Sequence, residues 1–146
     1  MNYDDIFEQM LTFASQGEFK QQLMQAKGEY SERTSVMFDN ECENLPRLTA
    51  FFEWYVFDRK LSVAPFRLPA KLFLDSISQS MPNSDLTLIR NYFRTSMTIF
   101  ECRKVNDNNL KVVDLFSGQK SVINLANGTY GFYSGDIFEG RVLSRD

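Results

Sequence analysis

Apolar residues recur every three or four positions through the first two thirds of the chain, a spacing typical of helices with one buried face. The pattern predicts five helices, at about residues 4–15, 18–32, 46–61, 69–78 and 84–95. We expect Asp4 or Asp5 to cap the first helix and Ser84 the fifth, because short oxygen-bearing side chains accept hydrogen bonds from the free N–H groups of a helix start. The stretch 38–46, FDNECENLP, is predicted to be a connector.

From Ser96 onward the apolar period changes to two, which indicates strands. Four strand-like segments lie at 97–105, 109–117, 119–126 and 135–143, with turn clusters between them. We therefore predict an α+β fold in which about five N-terminal helices precede a four-stranded antiparallel meander or small β-barrel. At 146 residues the chain is expected to be a single domain, 1–146, whose helical part (about 1–95) and β part (about 96–146) share a core.

Five aromatic rings are concentrated in residues 51–57, FFEWYVF, at the centre of the third predicted helix. A helix that is apolar nearly all round is usually central, so this one is predicted to be the hub of the helical part. Trp54 and Phe57 should be buried on a different side from Phe51 and Tyr55. Glu53 and Asp58 remain as carboxylates on an aromatic helix, and we interpret them as members of structural ion pairs; the alternative is a ligand-binding role.

Composition excludes several kinds of chemistry. The chain has no histidine, so it lacks Ser-His-Asp or Cys-His catalytic pairs and histidine metal ligands. Cys42 and Cys102 fit neither a CxxC motif nor a disulfide framework, and no glycine-rich phosphate loop is present. The sequence predicts no catalytic residue, no metal site, no cofactor and no enzymatic activity.

Charge and hydropathy limit the partners. With 16 Lys and Arg against 19 Asp and Glu, the chain has no basic surplus for nucleic acid or an anionic membrane. It also lacks a run of apolar residues long enough to span a bilayer, and its acidic N-terminus does not resemble a signal peptide. We expect a cytoplasmic protein that binds neither nucleic acid nor membrane.

Three local features lie in the β part. Asp114, Ser117 and Gly118 have the composition of a type I turn. Phe132 and Tyr133 are expected to be exposed beside a loop, where they could form a partner surface. Asp136 and Arg141 could form an ion pair across the turn that enters the last strand.

Motifs along residues 45–142 resemble an uncharacterised bacterial and plastid domain that often accompanies the SEC-C zinc motif. In that family a helix with the pattern E-W-aromatic-x-F-D precedes S-x-aromatic-E-V, D-L-x-[ST]-G and G-D segments. The matching residues here are Glu53, Trp54, Phe57 and Asp58; Ser96, Phe100 and Glu101; Asp114, Leu115, Ser117 and Gly118; and Gly135 with Asp136. The cysteine-rich zinc motif is absent, so the resemblance implies no metal, and the family implies no known activity.

A second, partial resemblance is to PilZ domains, which bind cyclic di-GMP through an RxxxR stretch followed by a strand with [DN]xSxxG. Arg90 and Arg94 match the first motif, and Asp114 and Ser117 lie where the second is expected. Arginine pairs bind phosphate in a bidentate manner and stack on purines. The spacing in DLFSG differs from the family's, and RNYFR has a helical pattern where the family has an extended arm.

The sequence thus favours a non-enzymatic module that binds or scaffolds another protein, or associates with itself. The alternative is a degenerate PilZ-like sensor of a nucleotide second messenger, cyclic di-GMP, in which Arg90 and Arg94 bind the ligand with Asp114 and Ser117.

Overall fold

A computed structural model describes residues 2–35, 45–125 and 128–143. It confirms the α+β fold, since five helices are followed by a four-stranded antiparallel sheet that does not close into a barrel. The chain divides into two compact units, Met1–Phe93 with the helices and Arg94–Asp146 with the sheet. The core shared between the two parts stays a prediction, and most of the predicted connector at 38–46 lies outside the described residues.

The helices of the first unit lie close to their predicted positions. They are α1 (Tyr3–Ser15), α2 (Phe19–Thr34), α3 (Leu45–Phe57), α4 (Pro69–Ile77) and α5 (Asn83–Tyr92). α3 ends four residues earlier than predicted, because the N–H groups of Asp58 and Arg59 both donate to Trp54 O and close the last turn. The chain then leaves the helix, and Leu61 N donates to Arg67 O across the following loop.

The predicted helix caps are wrong at two positions. Asn2 caps α1: its side chain accepts from Asp5 N at 2.8 Å, and the Asp5 carboxylate accepts from Asn2 N at 3.0 Å. This reciprocal capping box makes Asp5 the third helical residue rather than the cap. At α5 the cap position is taken by Pro82, whose extended backbone places Ser84 inside the first turn.

The core of the first unit is built around α1 and α3 together. α1 packs against each of the other four helices and buries Ile6, Met10 and Ala14. α3 packs against α1, α2 and α4, so the predicted hub is shared between two helices. Fully buried side chains of α3 are Phe51, Tyr55 and Val56.

Rings from other helices pack around α3. Phe57 stacks on Tyr92 of α5 with ring centroids 4.5 Å apart and on Phe7 of α1 at 6.0 Å. Trp54 was predicted to be buried but is only half-buried, at 5.3 Å from the ring of Tyr30. It lies on the side of α3 that faces α2, where the cover is incomplete.

Tyr55 introduces a polar atom into this apolar core. Its hydroxyl donates to Ala14 O at 2.8 Å, which satisfies both buried groups. Burial raises the pKa of Tyr55 to about 12. The side chain is therefore neutral at physiological pH and serves as a structural hydrogen-bond donor between α3 and α1.

The second unit contains β1 (Thr98–Val105), β2 (Asn109–Asp114), β3 (Lys120–Asn124) and β4 (Ile137–Gly140). Their order in the sheet is β3-β2-β1-β4, with every neighbouring pair antiparallel. β1, β2 and β3 form the predicted meander, and β4 returns to the free side of β1, which gives the strand order of a Greek key. The β1–β2 register shifts at a bulge between Cys102 and Lys104.

The sheet has one buried and one exposed face. Phe100, Cys102, Leu110 and Val112 are buried on the first face, and Phe132 and Phe138 are among the side chains that pack against them. The other face exposes aliphatic side chains such as Ile99, Val122 and Ile137. No helix in the described ranges is long and apolar enough to cross a membrane.

Candidate functional site

Two strongly exposed tyrosines lie on the connection between β3 and β4. Tyr130 is fully exposed and Tyr133 is 71% exposed. We call residues 128–136 the tyrosine loop. Gly131 (φ +89) and Gly135 (φ +94) adopt backbone angles that are strained for other residues, so the path of this loop depends on glycine.

Hydrogen bonds fix the tyrosine loop to the sheet. They run from Thr129 Oγ1 to Asn106 O (2.7 Å), from Ser134 Oγ to Arg103 O (3.0 Å), from Gly135 N to Cys102 O (2.7 Å) and from Cys102 N to Asp136 O (2.8 Å). These contacts hold both ends of the loop against β1 and the β1–β2 turn. The two tyrosines are therefore displayed from a backbone that is already ordered.

Phe132 and Tyr133, predicted together as a partner surface, point to different environments. Tyr133 is exposed, whereas Phe132 is half-buried and makes an edge-to-face contact with Phe138 at 5.5 Å. Phe132 thus packs against the sheet core and holds the tyrosine loop on the buried face of the sheet. Its place in the exposed surface is taken by Tyr130, which the sequence analysis missed because it lies within a turn cluster, between Gly128 and Gly131.

The ion pair between Asp136 and Arg141 stays a prediction, and each of the two residues makes a further contact within the second unit. Asp136 Oδ2 accepts from Tyr133 N at 2.7 Å and so stabilises the turn within the tyrosine loop. Arg141 donates to Thr95 O at 2.7 Å. Asp136 therefore contributes to the candidate site by positioning the backbone of Tyr133.

Asp114 and Ser117 form a local turn, as their composition predicted. Asp114 Oδ1 accepts from Phe116 N at 2.8 Å, from Ser117 N at 3.1 Å and from Thr98 Oγ1 at 3.1 Å. The backbone hydrogen bond from Ser117, with those from Phe116 and Thr98, holds the pKa of Asp114 below its usual value. This oxygen is already used by three donors inside the second unit.

The two arginines of the PilZ-like motif belong to different units. Arg90 is exposed on α5, and Arg94 is exposed at the start of the second unit. The cyclic di-GMP hypothesis stays a prediction, and the Asp114 carboxylate that it requires takes part in the turn described above.

On α3, Glu53 is half-buried with its Oε2 atom enclosed, and Asp58 is exposed directly after the helix. The structural ion pairs interpreted for these two carboxylates, and the alternative ligand-binding role, stay predictions. A strong ion pair of this region joins Arg59 to Glu29 on α2, with the Nε and Nη2 atoms each 2.8 Å from a carboxylate oxygen. The hydrogen bond from Arg59 lowers the pKa of Glu29. Nothing in the local sequence pattern identifies Arg59, thirty positions away, as the partner of Glu29.

Three other kinds of feature could form a site among the described residues: metal ligands, thiols and grooves. In the described ranges, no group of three or more His, Cys, Asp or Glu side chains is arranged to hold a metal ion. Cys102 is a buried free thiol, and Cys42 lies outside the described residues. An open groove of about 600 Å³ along α1 and α4 is lined by Asp5, Glu8, Gln9, Thr12, Phe13 and Phe73. Its acidic groups are exposed, which is typical of a solvated helix face.

Comparison of the chain with protein-family models, with curated proteins and with solved structures finds no match. The resemblances to the SEC-C-associated domain and to PilZ domains stay predictions. The class that the fold and the site define is a helical unit joined to an open four-stranded antiparallel sheet with a rigid, tyrosine-bearing loop.

Proposed function

We propose that this chain is a non-enzymatic protein-binding module and that the tyrosine loop contacts its partner. The observation that carries the proposal is the exposure of Tyr130 and Tyr133 on a backbone fixed by hydrogen bonds to β1 and to the β1–β2 turn. Either another protein or a second copy of the chain could supply the opposing surface.

Physical chemistry favours tyrosine for this role. A tyrosine ring offers a large apolar area, and its hydroxyl can keep a hydrogen bond to water or to the partner at a hydrated interface. Only two side-chain torsions must be ordered on binding, so the loss of conformational entropy is small. A loop that is already held in place loses little further conformational entropy when a partner binds. The loop is therefore suited to act as a small preformed anchor.

The rest of the second unit supports the same conclusion. Most of the exposed large apolar side chains of the described residues belong to it: Ile99, Leu115, Phe116, Val122, Tyr130, Tyr133 and Ile137. Exposed large apolar side chains mark interaction surfaces where they are close together, and Tyr130 and Tyr133 share one short loop. By contrast, Glu29 and Asp114, two carboxylates with a shifted pKa, are each engaged in hydrogen bonds within the chain, which suits a structural rather than a catalytic role.

We further propose that the module works in the cytoplasm. The two cysteines follow no disulfide pattern, and Cys102 is a buried free thiol, which suits a reducing compartment. Fractionation of the source cells, with an antibody against the chain, tests this location. Recovery in a secreted fraction would contradict it.

The test of the binding function compares three proteins in affinity capture. These are the wild type, the double variant Tyr130→Ser/Tyr133→Ser, and the control Phe66→Ser, which removes an exposed ring from the first unit. A captured partner is then purified and titrated by calorimetry, and sedimentation at several concentrations detects self-association. We expect the tyrosine double variant to lose about 30-fold or more in affinity, the usual cost of removing central aromatic anchors.

The control is expected to bind like the wild type. The proposal is wrong if the double variant retains the affinity of the wild type for the purified partner. It is also wrong if neither capture nor sedimentation detects any association of the wild type.

A further inference from the structure

The exposed face of the sheet carries a basic groove that the tyrosine loop does not explain. It has a volume of about 610 Å³, and the exposed-face residues that line it are Arg103, Lys111, Val113, Lys120 and Val122. Val112 and Ser121, a directly opposed pair, also border it, although the Val112 side chain is buried on the other face. We call these residues the basic groove. The cationic and aliphatic side chains in it come from three adjacent strands, or from the bulge in one of them, so the groove is part of a rigid sheet.

The strand register concentrates positive charge at this place. Lys104 on β1 lies directly opposite Lys111 on β2. Lys120 on β3 lies opposite Val113, which is two residues after Lys111 on β2. Like charges in directly opposite positions of a sheet destabilise it. A cluster of positive charge is unexpected in a chain with a net charge of −3. An acidic partner would relieve the repulsion between the lysines.

Acidic side chains lie toward the other side of the same face. Glu101 is an ion-pair partner of Arg103 at 2.9 Å, and Glu139 is on β4. The face therefore changes from basic at β3 to acidic at β4. This gradient directs an acidic occupant to the β3 side.

β3 also offers backbone hydrogen bonds. It is an edge of the four-stranded sheet, and among the described residues no further strand pairs with its outer side. An edge strand presents N–H and C=O groups that an extended peptide can pair with. Side chains of an added strand on the exposed face would lie about 5 Å from Lys120 and Val122, within reach of an ion pair and an aliphatic contact.

From the groove, the charge gradient and the edge together, we propose that β3 binds an extended acidic peptide segment of another protein by strand addition, with acidic and aliphatic side chains alternating along it. The groove offers Val113 and Val122 where a single-stranded nucleic acid would need aromatic rings for its bases. A second copy of the chain added through its own β3 would bring two sets of lysines onto one face. Lysines on an edge deter neutral strands, so the same charges select for an acidic one.

The test uses the full chain and a fluorescein-labelled short peptide in which Glu and Val alternate, titrated by fluorescence anisotropy at low salt. Two matched peptides accompany it: one alternates Lys and Val, and the other replaces the central Val by Pro, which cannot donate a backbone hydrogen bond. The variants are Lys111→Glu/Lys120→Glu, the milder Lys111→Gln/Lys120→Gln, and Lys20→Glu/Lys71→Glu as a control on exposed lysines of the first unit. Circular dichroism verifies that each variant is folded.

We expect the Glu/Val peptide to bind the wild type and the first-unit control equally. The charge-reversed groove variant should bind about tenfold more weakly, since each exposed ion pair is modest, and the Gln variant should fall between them. The Lys/Val and Pro peptides should bind the wild type at least as weakly as the Glu/Val peptide binds the charge-reversed variant. The Glu/Val peptide should also slow amide hydrogen exchange along β3 of the wild type. A Tyr130→Ser/Tyr133→Ser variant should bind the peptide like the wild type, because this inference does not depend on the tyrosine loop.

Several results would overturn the inference. They are equal affinity of the groove variants and the wild type, equal binding of the Pro peptide, and loss of peptide binding in the tyrosine variant. Binding of a labelled oligouridine that depends on Lys111 and Lys120, without peptide binding, would assign the groove to nucleic acid instead.

Discussion

The ion pair between Arg59 and Glu29 allows a quantitative test of what joins α2 to the segment after α3. Arg59 is only 6% exposed and makes two 2.8 Å hydrogen bonds to the Glu29 carboxylate, whose side chain is 35% exposed. The substitution Glu29→Gln keeps the size of the side chain but removes its charge. It leaves the guanidinium enclosed with one weaker acceptor.

The magnitude follows from this intermediate burial. Removing one partner of a fully buried pair costs about 3 to 5 kcal/mol of unfolding free energy, and a fully exposed pair contributes about 0 to 1 kcal/mol. Since Arg59 is buried and Glu29 is partly open to solvent, we expect Glu29→Gln to cost about 2 kcal/mol. Glu32→Gln, an exposed change on the same helix, is the control and should cost less than about 0.5 kcal/mol.

The penalty should also depend on pH. Arg59 lowers the pKa of Glu29 in the folded chain, so the carboxylate contributes stability that is complete above its unfolded pKa of about 4.3 and is lost as pH falls through the lower folded value. The difference between the wild type and Glu29→Gln should therefore be largest near neutral pH and shrink below about pH 4.

The assay is urea unfolding followed by the fluorescence of Trp54, the single tryptophan, which lies half-buried in the same unit. A double-mutant cycle with Arg59→Met isolates the interaction between the two side chains. The reasoning is refuted if Glu29→Gln costs no more than Glu32→Gln, or if its penalty is the same at pH values above and below the titration of Glu29.

Two other predictions concern buried and turn hydrogen bonds. Tyr55→Phe removes the buried donor to Ala14 O and should lower the free energy of unfolding by about 1 to 3 kcal/mol in the same fluorescence assay. Tyr130→Phe, on the surface, should not change the free energy of unfolding measurably. Equal effects of the two substitutions would contradict a structural role for the Tyr55 hydroxyl. Asp114→Ala should speed amide exchange at Phe116 and Ser117, and Asp114→Asn, which keeps an acceptor, should do so less. Because hydrogen bonds lower the pKa of Asp114, its contribution is present above the unfolded pKa and lost as pH falls through the folded value. The protection of these two amides, which is the intrinsic exchange rate at each pH divided by the observed rate, should therefore fall in the wild type at low pH. Unchanged protection in all cases would be inconsistent with the turn.

Much of the architecture could be predicted from periodicity. The change in apolar period after Ser96 separated the helical and β parts, because a helix and a strand bury one face with periods of 3.6 and 2. The ends of elements were harder: Asn2 rather than Asp4 or Asp5 caps α1, since the cap is decided by which residue adopts extended backbone angles. The pairing of β4 with β1, which gives the sheet its Greek-key strand order, joins strands that are far apart in sequence.

The candidate site was only partly predictable. Tyr133 was expected at the surface and is there, and Asp114 with Ser117 forms the expected turn. Phe132 packs against the sheet core and Tyr130 is exposed to solvent, and neither could be predicted because no periodic pattern governs a glycine-rich loop. The basic groove was not predicted because the net charge of the chain is acidic, and because its two lysines, Lys111 and Lys120, are nine positions apart in sequence and belong to different strands.

The sequence by itself determined the class of each element and the absence of histidine chemistry, because these follow from composition and from spacing along one chain. The tertiary structure decided which distant groups meet. Arg59 with Glu29, Lys111 beside Lys104, and the loop of Tyr130 against β1 are contacts between separate elements. Their formation depends on how the helices pack and on the exact register of the strands, which the local sequence pattern does not specify.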